Sequence, residues 1–209
     1  MRIEKPLVIQ TALALLDEVG SDGLTMRVLA KALNVQAPTL YWHFPSKQDL
    51  LDQMADALIA PVPGMVDVGA EPDEVLRSLA TALRSALLSR RDGARIYAGT
   101  YVMGDNVLAV ADIALGALTA KGLDARAATD AMFNLVYYVL GFAIEEQGFV
   151  GRWNERPDVP SVRRQFLEAA EGRFPVLAQN IDAVLTGSFD ERFVSGLTTF
   201  LRGLRTMER

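Results

Sequence analysis

Leu24-Thr-Met-Arg-Val-Leu-Ala-Lys-Ala-Leu-Asn-Val-Gln-Ala-Pro-Thr-Leu-Tyr-Trp-His-Phe-Pro-Ser-Lys47 decides the fold. Thr25 offers a hydroxyl as N-cap for a helix over 25–33, with a buried face expected at Val28, Leu29, Ala32 and Leu33. Asn34 tolerates the left-handed backbone of a sharp helix exit, and Val35 can then drop into the core. Pro38 sits where a missing N–H is harmless, in the first turn of a short helix from Gln36 to His43. Phe44-Pro45 closes that helix, because the residue before a proline is pushed out of helical geometry. Ser46-Lys-Gln-Asp49 then has the spacing of a capping box that opens the next helix. Two short helices around a tight turn form a helix-turn-helix, whose second helix enters a DNA major groove.

Residue chemistry within the stretch agrees. Arg27 is long enough to reach a guanine edge with two hydrogen bonds. Thr39 and Tyr41 carry hydroxyls on the side facing solvent, Leu40 faces inward, and Trp42, His43 and Lys47 have N–H groups that can donate to phosphate oxygens. The chain as a whole is acidic, with a formal charge of −5 and pI near 5.0. Between Gly23 and Gln48, however, Arg27, Lys31 and Lys47 are the charged residues and no acid intervenes. So small a basic patch implies weak non-specific binding, with useful affinity drawn from base contacts and from pairing of two copies.

Working outward, Val8, Ala12, Leu15 and Val19 have helical spacing, and the interrupted apolar stretch from Leu7 to Leu16 reads as a packing helix over 5–20, not a signal peptide. A helix over 46–60 leads into Pro61-Val-Pro-Gly64, Gly69 and Pro72, a linker. Further helices are predicted over 73–90, 92–99, 105–121, 124–147, 161–178 and 188–207, with a loop from Gly148 to Pro160 around Trp153. Nothing alternates with a strand period. The reading is all-α: a three-helix helix-turn-helix domain over 1–60 and a larger helical domain over 61–209 for ligand binding and dimerisation. The longest apolar run, Ala131 to Ile144, is shorter than the ~18 residues of a membrane span, so no membrane partner and a cytoplasmic location are expected. The absence of cysteine excludes thiolate metal sites and disulfides.

Thr-Leu-Tyr-Trp-His-Phe at 39–44, followed by Lys47, resembles the reading helix of the tetracycline-repressor (TetR) family of bacterial transcriptional regulators. The resemblance implies that Arg27, Ala37, Pro38, Thr39 and Tyr41 face bases, and that Thr25, Trp42, His43 and Lys47 contact phosphates. Ala37 stands where tetracycline repressors carry an adenine-reading glutamine, which implies a different operator. Leu87-Leu-Ser-Arg-Arg-Asp-Gly-Ala-Arg-Ile-Tyr-Ala-Gly-Thr100 and Gly141-Phe-Ala-Ile-Glu-Glu-Gln147 resemble the family's effector domain. By that likeness Arg-Asp-Gly at 91–93 and Gly99 suit a hinge, equally readable as plain helix ends.

The same likeness points to an effector pocket at Leu79, Leu83, Tyr97, Thr100, Tyr101, Val102, Ala114, Met132, Phe133, Val136, Tyr137 and Glu145, with the apolar positions equally readable as plain core and Glu145 as a solvent-exposed helix end. In the family a histidine helps to hold tetracycline's magnesium where this chain has Tyr97, and the one histidine here, His43, lies in the DNA reader. A phenol titrating near pH 10 is a poor magnesium ligand, so neither metal nor cofactor is expected. The family pairs helices matching 124–147 and 188–207 across a homodimer, and Phe193, Leu197, Phe200, Leu201 and Leu204, with Ser195, Gly196 and Gly203 for close approach, form a candidate stripe.

The expected function is therefore a ligand-responsive repressor that binds a palindromic double-stranded operator as a homodimer and is released by a small lipophilic or aromatic effector. A ligand-independent DNA-binding regulator is the alternative reading, and activation in place of repression stays open. No catalytic residues are assigned. Tyr97, Asp130 and Glu145 could act as acid–base groups, but no nucleophilic cysteine, second histidine or Gly-rich phosphate loop accompanies them.

Overall fold

A computed structural model describes residues 4–100, 103–152, 158–170 and 172–204. Among these residues every regular element is helical: α1 (Lys5–Gly23), α2 (Met26–Ala32), α3 (Ala37–Tyr41), α4 (Lys47–Leu58), α5 (Pro72–Leu88), α6 (Gly93–Ala98), α7 (Asp105–Ala120), α8 (Ala125–Arg152), α9 (Val159–Ala170), α10 (Pro175–Gln179), α11 (Ile181–Leu185) and α12 (Phe189–Leu204). A 3-10 turn, Pro63–Met65, stands in the linker.

Local chemistry accounts for the boundaries around the helix-turn-helix. Thr25 Oγ1 accepts from the Val28 amide at 3.2 Å, capping α2. Asn34 takes φ 53°, and the Val35 amide reaches back to the Ala30 carbonyl at 2.9 Å, closing the helix as a left-handed exit should. Ser46 and Asp49 form the reciprocal capping box, with Ser46 N donating to Asp49 Oδ2 at 2.9 Å and Asp49 N to Ser46 Oγ at 3.1 Å. α3 is shorter than the predicted span: Trp42 and His43 fall in its closing turn, where the His43 and Phe44 amides both bond the Leu40 carbonyl.

Two apolar clusters hold the chain together. In the reading head, Val8, Ala12 and Leu16 of α1 pack with Met26, Leu29, Leu40, Phe44, Leu50 and Met54. The second cluster is built from α5, α7, α8 and α12. The two interlock: Leu58 of α4, with Ile59 just after it, is buried in the second cluster, whereas Ile96 of α6 is buried in the first. Leu13 and Tyr97 pack against both.

Several expectations are corrected. α1 turns Val8, Ala12, Leu16 and Gly20 inward in steps of four, so Leu15 is half-buried and Val19 exposed. α2 buries Met26, Leu29 and Ala30, leaving Ala32 exposed and Val28 and Leu33 half-buried, because a seven-residue helix can sink only one narrow face. The single helix predicted over 161–178 is broken, with Gly172 at φ 65° and Pro175 opening a new helix, and the unpredicted α11 follows. α8 runs on to Arg152 through the predicted start of the loop, while Trp153 lies outside the described residues.

The apolar stripe of α12 is not an outward surface. Phe193, Leu197, Leu201 and Leu204 are buried within the chain's own second cluster, with Phe200 half-buried beside them. A Cβ on Gly196 would overlap the Tyr138 hydroxyl, which donates to the Phe193 carbonyl at 2.7 Å. Ala125–Phe149 of α8 is long and apolar enough to cross a membrane by length and composition, beyond what the 131–144 run suggested. Here it packs on α5, α7 and α12, burying Ala131, Leu135, Val139 and Ala143.

Candidate nucleic-acid interface and internal cavity

On the reading head, Thr25, Arg27, Pro38, Tyr41, Trp42 and Lys47 are exposed, and Ala37, Thr39 and His43 are half-buried. Leu40 is fully buried, which orients the rest of the short helix outward. Trp42 is 88% exposed, so packing on α2 does not explain a tryptophan there. Thr25 spends its oxygen lone pair on the cap, and its hydroxyl hydrogen stays free to donate. Lys47 opens α4, where the helix dipole disfavours a cation unless an anion is to be met. None of Arg27, Lys31 and Lys47 forms an ion pair among the described residues.

In the second cluster a cavity of about 280 Å³ lies between α5, α6, α7 and α8. Leu79, Leu83, Tyr97, Thr100, Ala114, Met132, Phe133 and Val136 line it, as expected positions. Ala80, Val107, Val110, Ala111 and Leu135 line it too and carry no signal in sequence, since plain aliphatic residues on a packed helix look like any core. Tyr101 and Val102 lie outside the described residues. Tyr137 and Glu145 are corrections: both are exposed and neither lines the cavity. Tyr137 stacks on Phe133 with ring centroids 5.9 Å apart, one turn along the outer side of α8.

The wall is almost wholly apolar. The Thr100 hydroxyl donates to the Tyr97 carbonyl at 2.7 Å, leaving it an acceptor towards the cavity. Burial, and then the negative charge of Asp56, raise the Tyr97 phenol above its ordinary value, so it stays protonated and can donate. No group of three or more histidines, cysteines and carboxylates suited to a metal occurs among the described residues.

Polar residues join the two cores, Asp17 and Gln147 without a role expected from sequence and Asp92 from the expected hinge. Asp17 Oδ2 accepts from Arg90 at 2.6 Å and its Oδ1 from the Arg91 amide at 3.0 Å, while Asp92, left-handed at φ 56°, accepts from the Ser21 amide at 2.8 Å. A Cβ on Gly93 would strike the Leu87 carbonyl, so the α5–α6 corner closes only with glycine. Gln147 clasps that corner from α8, donating to the Leu87 and Arg90 carbonyls (3.1 and 2.8 Å) and accepting from the Ala94 amide at 3.1 Å.

Beside Gln147, Glu146 and not Glu145 turns inward. It receives Arg84 of α5 through two bonds of 2.8 and 2.7 Å, and Arg84 also reaches Asp190 at 2.7 Å. Burial pulls the guanidinium down, but its bonds to Glu146 and Asp190 outweigh this and hold it above its ordinary value. The signal was available: Arg84 sits four residues after Ala80 and three before Leu87, on the face those residues bury.

Residues 8–54 match the family model described as bacterial regulatory proteins, tetR family, and residues 69–208 that of the tetracyclin repressor-like C-terminal domain. The tetracycline repressor protein class A from transposon 1721 of Escherichia coli is 38% identical over 205 residues, covering 97% of this chain and 91% of the relative. A possible TetR family transcriptional regulator from Streptomyces coelicolor A3(2) is 37% identical and superimposes with a TM-score of 0.85, covering 97% and 99% of the two chains. The Streptomyces coelicolor TetR family protein ActR, solved in complex with actinorhodin, is 25% identical with a TM-score of 0.86, covering 99% and 98%.

Proposed function

The chain belongs to the tetR family of bacterial regulatory proteins, and from that premise we propose that it is a ligand-responsive transcriptional repressor, cytoplasmic, with no catalytic role and no membrane partner. Residues 1–60 are its DNA-binding domain and 61–209 its effector and dimerisation domain. It binds a palindromic operator as a homodimer. Arg27, Ala37, Pro38, Thr39 and Tyr41 face the bases, and Thr25, Trp42, His43 and Lys47 the phosphates. The observation that carries the reading is the joint presence of an exposed reading face around Trp42 and a partly open apolar cavity of about 280 Å³, with α4 rooted in both cores.

Dimerisation is supported by geometry. One short helix spans few base pairs, and two copies are needed to reach half-sites a helical turn or more apart. The outer face of α8 exposes Phe133, Tyr137 and Ile144, and α12 exposes Val194. These replace the buried α12 stripe as the surface that a second copy covers.

The effector is a flat, lipophilic molecule oriented by the Tyr97 and Thr100 hydroxyls, without metal. Its differential affinity for two arrangements of the heads sets the response, about 2.7 kcal/mol for a hundredfold shift. The test is to select duplexes from a random library with the purified chain, then to screen lipophilic compounds for release. Enrichment of a palindrome and its release by a compound that Leu83→Trp excludes support the reading. Failure to enrich any duplex overturns it, and a duplex that no compound releases favours the ligand-independent alternative.

A further inference from the structure

α7 begins without a capping side chain of its own. Its N-cap is Gly104, and the orphan amides of the first turn are taken by a residue from another helix, Asp56 of α4. Asp56 Oδ1 accepts from the Asn106 and Val107 amides at 3.1 and 3.0 Å, its Oδ2 from the Asn106 side-chain amide at 2.7 Å, and its own carbonyl from the same amide at 3.3 Å. Gly104 leaves room for this, since a Cβ there would overlap the Asp56 carboxylate. Val107, held by one of these bonds, is itself part of the cavity wall, and so is Tyr97, whose phenol feels the Asp56 charge.

We propose that Asp56 is the positioning residue that transmits the state of the cavity to the reading head, by capping the cavity-wall helix α7 from the helix that carries the head. The inference rests on the regulator reading above. A molecule that displaces the start of α7 must either break four hydrogen bonds to Asp56 or drag α4 with it. Dragging α4 re-aims the reading head, because α4 packs against α1 within it. The carboxylate converts an apolar event in the cavity into a movement of the DNA-binding face.

The experiment needs no effector. Ala111→Trp on α7, and separately Ala80→Phe on the opposite wall, crowd the cavity from within. Affinity is measured by fluorescence anisotropy on the duplex selected with the parent chain and on a random duplex, and helix content and melting show which variants fold. In the Asp56 background each crowding substitution is expected to weaken selected-duplex binding about tenfold. With Asp56→Ala, or with Gly104→Ala, which pushes the carboxylate away without removing it, the same crowding is expected to weaken binding by less than about threefold.

The paired change Asp56→Asn with Asn106→Asp keeps an oxygen for the two backbone amides and reverses the side-chain bond, giving up only the longer bond of 3.3 Å to the residue-56 carbonyl. It is expected to restore the tenfold response, which a merely structural loss would not do. Equal responses in all backgrounds, or no response to crowding with Asp56 in place, would overturn the proposal while leaving DNA binding intact. If the parent chain enriches no duplex at all, the regulator reading falls first and the clamp falls with it.

Discussion

Trp42→Ala separates DNA contact from packing more cleanly than any other substitution in the reading head. At 88% exposure the indole has little contact to lose. Stability should therefore change by no more than about 0.5 kcal/mol, a melting shift of about 2 °C or less for a chain of this size. In the proposed complex with DNA the indole N–H donates to a phosphate. A net contribution of about 1 kcal/mol per subunit, modest for a hydrogen bond at a wet rim, doubles in a dimer to about 2 kcal/mol, or about thirtyfold in affinity. Because tryptophan carries no charge, the slope of log affinity against log salt stays as it was. Lys47→Ala should lower that slope by about 0.9 per subunit, about two for the dimer. Anisotropy titrations of a selected duplex at several salt concentrations, with a parallel thermal melt, measure all of these quantities. Affinity within twofold of the parent would show that Trp42 makes no DNA contact and that the reading face is misassigned, whereas a melting temperature lowered by more than about 5 °C would show that it is a structural residue.

Arg27→Ala is expected to erase discrimination between selected and random duplexes by about ten- to a hundredfold, leaving random-duplex binding little changed; equal losses on both duplexes would contradict its base-reading role. Arg84→Ala strands Glu146, whose side chain is only 14% exposed. It should cost roughly 3 kcal/mol, the low end for breaking a buried pair because Asp190 at 82% exposure adds little, and urea unfolding would show this, with Arg84→Met milder. Burial raises the phenols of Tyr97 and Tyr138 above the ordinary value of 10. The unfolded chain releases those protons first, so their contribution is intact below pH 10 and stability falls as pH rises through the folded-state values. Tyr97→Phe should make that alkaline decline shallower in urea titrations at successive pH values.

Helix ends were legible because their causes are local. Thr25, Asn34, Pro38, Ser46 and Asp49 each act within a few residues, and each does in the fold what its chemistry announces. The facing of helices was less legible because it depends on partners far along the chain. A one-residue error in phase is a turn of 100°, enough to exchange Glu145 for Glu146, or Val19 for Gly20. The α12 stripe failed for the same reason: an apolar face says that it must be covered, not by which chain. The cavity positions were more accessible, since they were carried by likeness to a family and not by spacing alone.

The least legible features are the ones that tie the halves together. Asp17 and Asp56 look like ordinary surface acids in sequence and Asp92 like part of a hinge or helix end, yet each accepts backbone amides or a guanidinium from an element 50 or more residues away. Such contacts are directional, and their partners are helix ends whose orphan groups exist only once the helices are placed. They cluster where α4 and α6 exchange side chains between the two cores. A hydrophobic contact at such a crossing can slide, because it has no preferred angle, whereas a carboxylate holding two amides cannot shift far without losing both. The interlocked apolar side chains thus keep the two cores together, and the carboxylates favour one discrete relative position, which is what the proposed two-state response needs.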